Sequence, residues 1–175
     1  LFYSSYVQTY LQRDVRDLAR IEGLAELPRL LSLVAARSTG LVNFAELSRA
    51  SGLAQSTLKR YLALLEATFL VQTVPAWAGN LGKRLVKSPK LMLTDTGLMG
   101  HLLGVGDQDL GEGPWVGPLV ENFVALELRK HAGWSETPAE LFHFRTSAGR
   151  EVDLVLEDGR GRVVGVEVKA SATVG

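Results

Sequence analysis

Asp153, Glu167 and Lys169 are the residues whose types and spacing could do chemistry. They lie on two runs rich in β-branched residues, 150–157 (REVDLVLE) and 163–169 (VVGVEVK). The turn between them is rich in glycine and charge, which is a hairpin signal. Side chains alternate across a strand, so Val152, Leu154 and Leu156 share one face and Val164, Val166 and Val168 share another. An antiparallel pairing must put both sets on the same side of the sheet, or half of them face water. The register that does so sets Leu156 opposite Val164, Leu154 opposite Val166 and Val152 opposite Val168, with Asp158 opposite Arg162 around Gly159-Arg160-Gly161. On the other face Asp153 then stands opposite Glu167, and Glu151 opposite Lys169. Directly opposed residues have Cβ atoms roughly 5 Å apart.

Two carboxylates at that distance repel, and one of them tends to keep its proton. A divalent cation removes the conflict: Mg²⁺ is held by one or two carboxylates and retains several waters. A nearby lysine can then orient an attacking water and offset charge developing on a phosphate. The other reading of the same spacing is an ordinary charged outward face, with Glu151–Lys169 and Glu167–Lys169 as surface pairs.

The elements that position these residues can be read outward from the hairpin. Leu141-Phe-His-Phe-Arg predicts a strand that completes a three-stranded meander. Before it, Pro118 suits the first position of a helix that is apolar around most of its circumference, which argues burial against a sheet. Glu121 and Glu127 both lie in apolar company on that helix, and spacing does not choose between them. The Gly- and Asp-rich stretch 104–117 marks a domain boundary.

Upstream, residues 4–21 have the spacing of an amphipathic helix, and residues 1–27 read as a linker helix. From Pro28 to residue 106 the pattern is that of a winged helix-turn-helix. A first helix carries Leu30, Leu31, Leu33 and Val34. A short second one starts at a capping-box-like Asn43/Glu46 and stops at Ser51-Gly52. A third runs from near Gln55 to Thr68 and buries Leu58, Leu62 and Leu65. Ser56, Thr57, Lys59 and Arg60 remain on the exposed side of its first turns, where a recognition helix meets DNA. Val71-Gln-Thr-Val and Lys90-Leu-Met-Leu are candidate wing strands. The loop between them carries Lys83, Arg84, Lys87 and Lys90 and no acid, which suits a phosphate backbone. A helix that binds a protein, or merely joins two domains, is the plainer alternative.

Composition narrows the class. The 175 residues include 46% hydrophobic residues and no Cys, so disulfides and thiolate zinc sites are excluded and a reducing cytoplasm fits. No signal peptide and no apolar run near the roughly 18 residues of a span are present, so neither export nor membrane insertion is indicated. Residues 1–106 carry 12 Lys and Arg against 7 Asp and Glu, and residues 107–175 carry 7 against 12. A basic half suited to phosphate thus precedes an acidic half suited to a metal. Gly79-Asn-Leu-Gly-Lys lacks the spacing of a Walker A loop. His101, His131 and His143 form no zinc motif, and Trp77, Trp115 and Trp134 read as packing residues.

Asp153 followed by Glu167-Val-Lys169 on the next strand, with Glu121 on a preceding helix, resembles the PD-(D/E)XK nuclease superfamily. More broadly, five stretches resemble the C-terminal half of a group of prokaryotic AAA-type ATPases. They are 6–15 (YVQTYLQRDV), 56–66 (STLKRYLALLE), 87–98 (KSPKLMLTDTGL), 119–124 (LVENFV), and Glu151-Val-Asp with Val166-Glu-Val-Lys. The resemblance implies an α+β chain: an N-terminal all-α winged helix-turn-helix, then a restriction-endonuclease-like α/β domain over 107–175 that is C-terminally incomplete. Asp153 and Glu167 would hold Mg²⁺ or Mn²⁺, with the Val168 carbonyl as a third ligand. The resemblance favours Glu121 over Glu127 as the remaining acid, acting directly or through water, and Lys169 would position the nucleophile. DNA is the implied partner. The nucleotide-binding domain of the family is missing from this sequence, which begins with Leu and reads as a piece of a longer protein. The uncovered sheet edge suggests pairing between copies. Two alternatives stand beside the phosphodiesterase: a catalytically silent scaffold that regulates the attached ATPase, and a transcription regulator acting through 28–93 alone.

Overall fold

The computed structural model describes residues 2–10, 26–80, 84, 87–110 and 113–170. The fold is mixed α+β, with six helices and two antiparallel sheets among the described residues. No described helix is long and apolar enough to cross a membrane.

The first part is helical. Helix α1 (Phe2–Tyr10) lies on the surface, and the remainder of the 4–21 helix predicted from sequence falls outside the described residues. Tyr3 and Tyr10 tie α1 down, donating to Asp95 Oδ1 (3.1 Å) and to the Thr68 carbonyl (2.6 Å). Helix α2 (Leu27–Ala35) has Pro28 in its first turn, where an amide donor is not needed, and buries Leu27, Leu30, Leu31, Val34 and Ala35. Helix α3 (Phe44–Ser51) is capped by Asn43, whose side chain accepts from the Glu46 N–H at 3.1 Å. The reciprocal half of a capping box is missing here, because the Glu46 carboxylate pairs with Arg37 at 2.5 Å. Gly52 ends α3 with φ +76°, a left-handed cap that glycine adopts without strain. Helix α4 (Gln55–Ala67) buries Leu58, Tyr61, Leu62 and Leu65.

Strands β1 (Val71–Val74) and β2 (Lys90–Leu93) follow and pair antiparallel, with Val71 facing Leu93 and Val74 facing Lys90. Sequence reading makes this pair a candidate wing, and every residue of β2 is buried. Alternation explains why. Val71, Leu91 and Leu93 join the helical core, whereas Val74 and Met92 join a second core under the C-terminal sheet. The segment after α2 flanks the free edge of β2: the Thr39 N–H donates to the Leu91 carbonyl at 2.7 Å, and Leu41 bridges Lys90. Helix α5 (Thr96–Leu103) is capped by Asp95 and ends at Gly104.

Helix α6 (Val116–Trp134) begins two residues before the predicted Pro118, which therefore sits inside the first turn. It packs on a meander of β3 (Ala139–Arg145), β4 (Glu151–Asp158) and β5 (Val163–Val166), in that spatial order. The β4–β5 register matches the one predicted from the hydrophobic pattern: Leu154 faces Val166 and Leu156 faces Val164. Ala125, Val124 and Leu128 of α6 cover Leu141, Leu154, Leu156, Val166 and Val168. Toward the turn the cover ends, and Val164 is 59% exposed. The β5 ladder also stops short of the predicted Val152–Val168 pair, because the Val168 N–H donates instead to Asp153 Oδ2 at 2.9 Å.

Between β3 and β4 the register slips. Phe142 faces Val155, but Phe144 faces Val152, so Asp153 and Leu154 stand opposite His143 alone. That is a β-bulge on β4, a device that twists a strand and re-aims its side chains. Described residues between β1 and β2 line the outer edge of β3 and the opposite face of the sheet. Ala76 bridges His143, Phe142 and Val155 are buried, and the Arg84 guanidinium carbon lies 4.9 Å from the Phe142 ring centroid.

Candidate functional site

The bulge on β4 carries Asp153, the middle of α6 carries Glu121, and both face the first residue of β2. Lys90 is 7% exposed, and its position follows from strand alternation, which places it on the same face as Val74 and Met92. Its Nζ donates to Glu121 Oε1 at 2.6 Å and to the Asp153 carbonyl at 3.3 Å, and lies 3.9 Å from Asp153 Oδ1. The ammonium thus fills the place between the two carboxylates. Burial raises the Glu121 carboxyl above its ordinary range. The Lys90 hydrogen bond and charge pull the other way, Asp153 adds to the rise, and the Thr39 hydroxyl opposes it. Thr39 holds a left-handed conformation, φ +67°, unusual for a β-branched residue.

The ladder between β4 and β5 ends at Leu154–Val166, so the predicted Asp153–Glu167 pair falls one step past its end. The two acids are met by different donors. Asp153 takes the Val168 N–H and lies beside Lys90. Glu167 takes Lys169 at 2.6 Å, on the exposed side. That hydrogen bond holds the Glu167 carboxyl below its usual range, with a further contribution from the Asp153 backbone N–H. Lys169 is raised by the same pairing. Glu151 turns across to Arg145 of β3 at 3.2 Å. Glu127 pairs with Lys130 at 2.5 Å on the surface of α6, away from this cluster. Among the described residues, no group of three or more histidines, cysteines or carboxylates is arranged to hold a metal ion.

The cations read as a phosphate-tracking loop have separate destinations. Lys90 is internal, as described. Arg84 is held inside by its own loop and by β4, donating to the Ala78 carbonyl at 2.5 Å and reaching both Glu157 oxygens at 3.0 and 2.6 Å. The pairing holds the Glu157 carboxyl below its ordinary value. Lys87 is exposed and donates to the Arg145 carbonyl at 3.4 Å. Lys83 lies outside the described residues. On α4, Ser56, Lys59 and Arg60 are exposed and Thr57 is half-buried. Lys59 Nζ sits 5.3 Å from the Phe44 ring centroid, and the Arg60 guanidinium carbon 5.8 Å from that of Tyr61.

Sequence reasoning missed three participants: Lys90 as a site residue, the bulge at Asp153, and Asn122. Asn122 is fully buried beside Glu121 in the chain and donates to the Leu93 carbonyl (3.2 Å) and to Thr96 Oγ1 (3.1 Å). It also accepts from Ser38 Oγ at 3.0 Å, and Ser38 Oγ accepts the Leu93 N–H at 3.2 Å. The signal for both polar residues of α6 was the Glu-Asn pair interrupting an apolar helix.

Comparisons with known proteins place the chain without supplying a reaction. Residues 1–109 match the family model described as Domain of unknown function (DUF8612), and residues 116–175 match that described as Domain of unknown function (DUF4143). The uncharacterized proteins Mb2031c of Mycobacterium bovis and Rv2008c of Mycobacterium tuberculosis are each 35% identical over 169 residues, or 96% of this chain. The chain spans 37% of the length of each of these relatives. No solved structure matches it.

Proposed function

This chain belongs to the DUF8612 family, and we propose that it is a DNA-binding module in which a winged-helix-like unit contacts DNA and a nuclease-like unit lies behind it. The observation that carries this reading is the exposed set Ser56, Lys59 and Arg60, with Thr57, on the first turns of α4. Hydroxyls there can reach phosphate oxygens, and the two cations supply charge without an acidic neighbour on the same turns. The loop cations Arg84 and Lys90 are engaged inside the protein, so α4 is the stronger candidate for the contact. In the same reading the module is joined to an AAA-type ATPase domain and serves or regulates it.

Fluorescence anisotropy with a labelled duplex, repeated across salt concentrations, tests the proposal. Lys59→Ala and Arg60→Ala should each weaken binding and flatten the plot of log K against log salt by about 0.9 per lost phosphate contact. Wild-type affinity and slope in both variants would remove α4 from the interface.

A second reading, a metal-dependent phosphodiesterase, is favoured by Asp153 lying against the segment that carries Glu167 and Lys169, where its carboxylate accepts the Val168 N–H at 2.9 Å. The residues as arranged do not fit a divalent ion, since a buried ammonium already lies between Glu121 and Asp153. Cleavage of DNA in Mg²⁺ or Mn²⁺ that disappears in Asp153→Ala would establish this second reading, and equal activity in both proteins would end it.

A further inference from the structure

We propose that Lys90 is the resident cation of the nuclease-like site, standing where a divalent metal would otherwise have to sit. The inference rests on reading the C-terminal unit as nuclease-like, and it adds what balances the charge of that site. Its basis is geometric. The three groups come from three elements far apart in sequence, yet the Lys90 ammonium meets the Glu121 carboxylate at 2.6 Å, the Asp153 carbonyl at 3.3 Å and the Asp153 carboxylate at 3.9 Å. An ammonium has three protons to donate and no acceptor capacity, and two of its donations are accounted for by Glu121 and the Asp153 carbonyl.

The side chain has little freedom to leave. Lys90 lies on β2, whose amides and carbonyls are tied to β1 on one side and to residues 39–42 on the other. Its stem runs along the strand face that carries Val74 and Met92. A metal ion entering between Glu121 and Asp153 would have to share the space with a like charge, at a separation where the repulsion in a poorly solvated site is severe. Occupation by Lys90 and occupation by a divalent ion are therefore mutually exclusive. The ammonium also comes from the segment matched by one family model and the carboxylates from the segment matched by the other. Charge balance at the site thus depends on the two segments being docked.

Mn²⁺ titration followed by electron paramagnetic resonance tests this on the whole chain. Wild type should take up no Mn²⁺ in a manner that depends on Asp153. Lys90→Ala should take up one Mn²⁺ per chain, and the ion should also raise its melting temperature. The Lys90→Ala/Glu121→Gln double variant should lose that uptake. Asp153-dependent uptake by wild type would overturn the inference while leaving the nuclease-like reading intact. A folded Lys90→Ala that ignores Mn²⁺ would overturn the inference and count against the nuclease-like reading as well. If Lys90→Ala fails to fold even with Mn²⁺ present, the wild-type titration decides: Asp153-dependent uptake refutes the inference, and its absence upholds it.

Discussion

Lys90 Nζ and Glu121 Oε1 are 2.6 Å apart on side chains only 9% and 16% exposed. Removing one member of such a pair leaves the other charge desolvated. Lys90→Met should cost about 3–5 kcal/mol of stability in urea denaturation, and Lys90→Met/Glu121→Leu should recover most of it. A double variant as unstable as the sum of the two singles would mean that the pair is not coupled.

His143 gives the fold a predictable acid limb. Burial lowers its imidazole pKa to about 4, against the hydrogen bond to the Ser88 carbonyl and with help from the charges of Lys90, Lys87 and Arg145. Nε2 faces that carbonyl at 3.1 Å, so it carries the proton of the neutral ring. The folded value lies below the unfolded one, so the unfolded chain binds the proton first as pH falls. Stability from this residue is complete above pH 6.5 and is lost between 6.5 and about 4, to a total near 3 kcal/mol. His143→Gln should flatten that part of a stability–pH curve, as measured by denaturant midpoints at pH 7 and 4.5.

Asn122 holds α6 to β2 and to α5 through hydrogen bonds made entirely inside the protein. Asn122→Leu keeps the volume and strands the Leu93 carbonyl and the Ser38 hydroxyl. A loss of about 2–3 kcal/mol is expected, together with faster amide exchange at the end of β2. Little change in either measurement would show that water or a local shift satisfies those groups.

The outer edge of β5 is the place to look for self-association. Val163 and Val164 are 43% and 59% exposed on an edge strand. Val164→Lys should leave the melting temperature within a degree or two and reduce light scattering on concentration, since charge on an edge opposes strand pairing. Unchanged scattering would place the sticky surface elsewhere, for instance at Phe69 or Phe123, which are also exposed.

Local features were the legible ones. The β4–β5 register followed from parity alone, because each apolar residue must share a side with its neighbours. The Asn43 cap, the buried stripe of α4 and the Asp158–Arg162 contact at the hairpin turn were equally local. What escaped was set by partners distant in sequence. Lys90 opens a strand whose polar first residue looks solvent-facing until α6 and β4 close over it. The β-bulge could not be read because a one-residue slip between β3 and β4 leaves no mark in the alternation of either strand. The partners of Arg84 and Lys90 escaped for the same reason: a run without acids suggests an external anion, yet Glu157 and Glu121, distant in the chain, pair with these two.

The ribbon of β1 and β2 has a core on either side. Leu91 and Leu93 are committed to one core, while Met92 and Val74 are committed to the other. A gene cut between positions 106 and 107 would therefore not separate two finished bodies. The upstream product would carry a bare greasy flank and a stranded positive charge, and the downstream product would lack the floor beneath its sheet. The seam drawn along the sequence crosses tissue that in space is undivided.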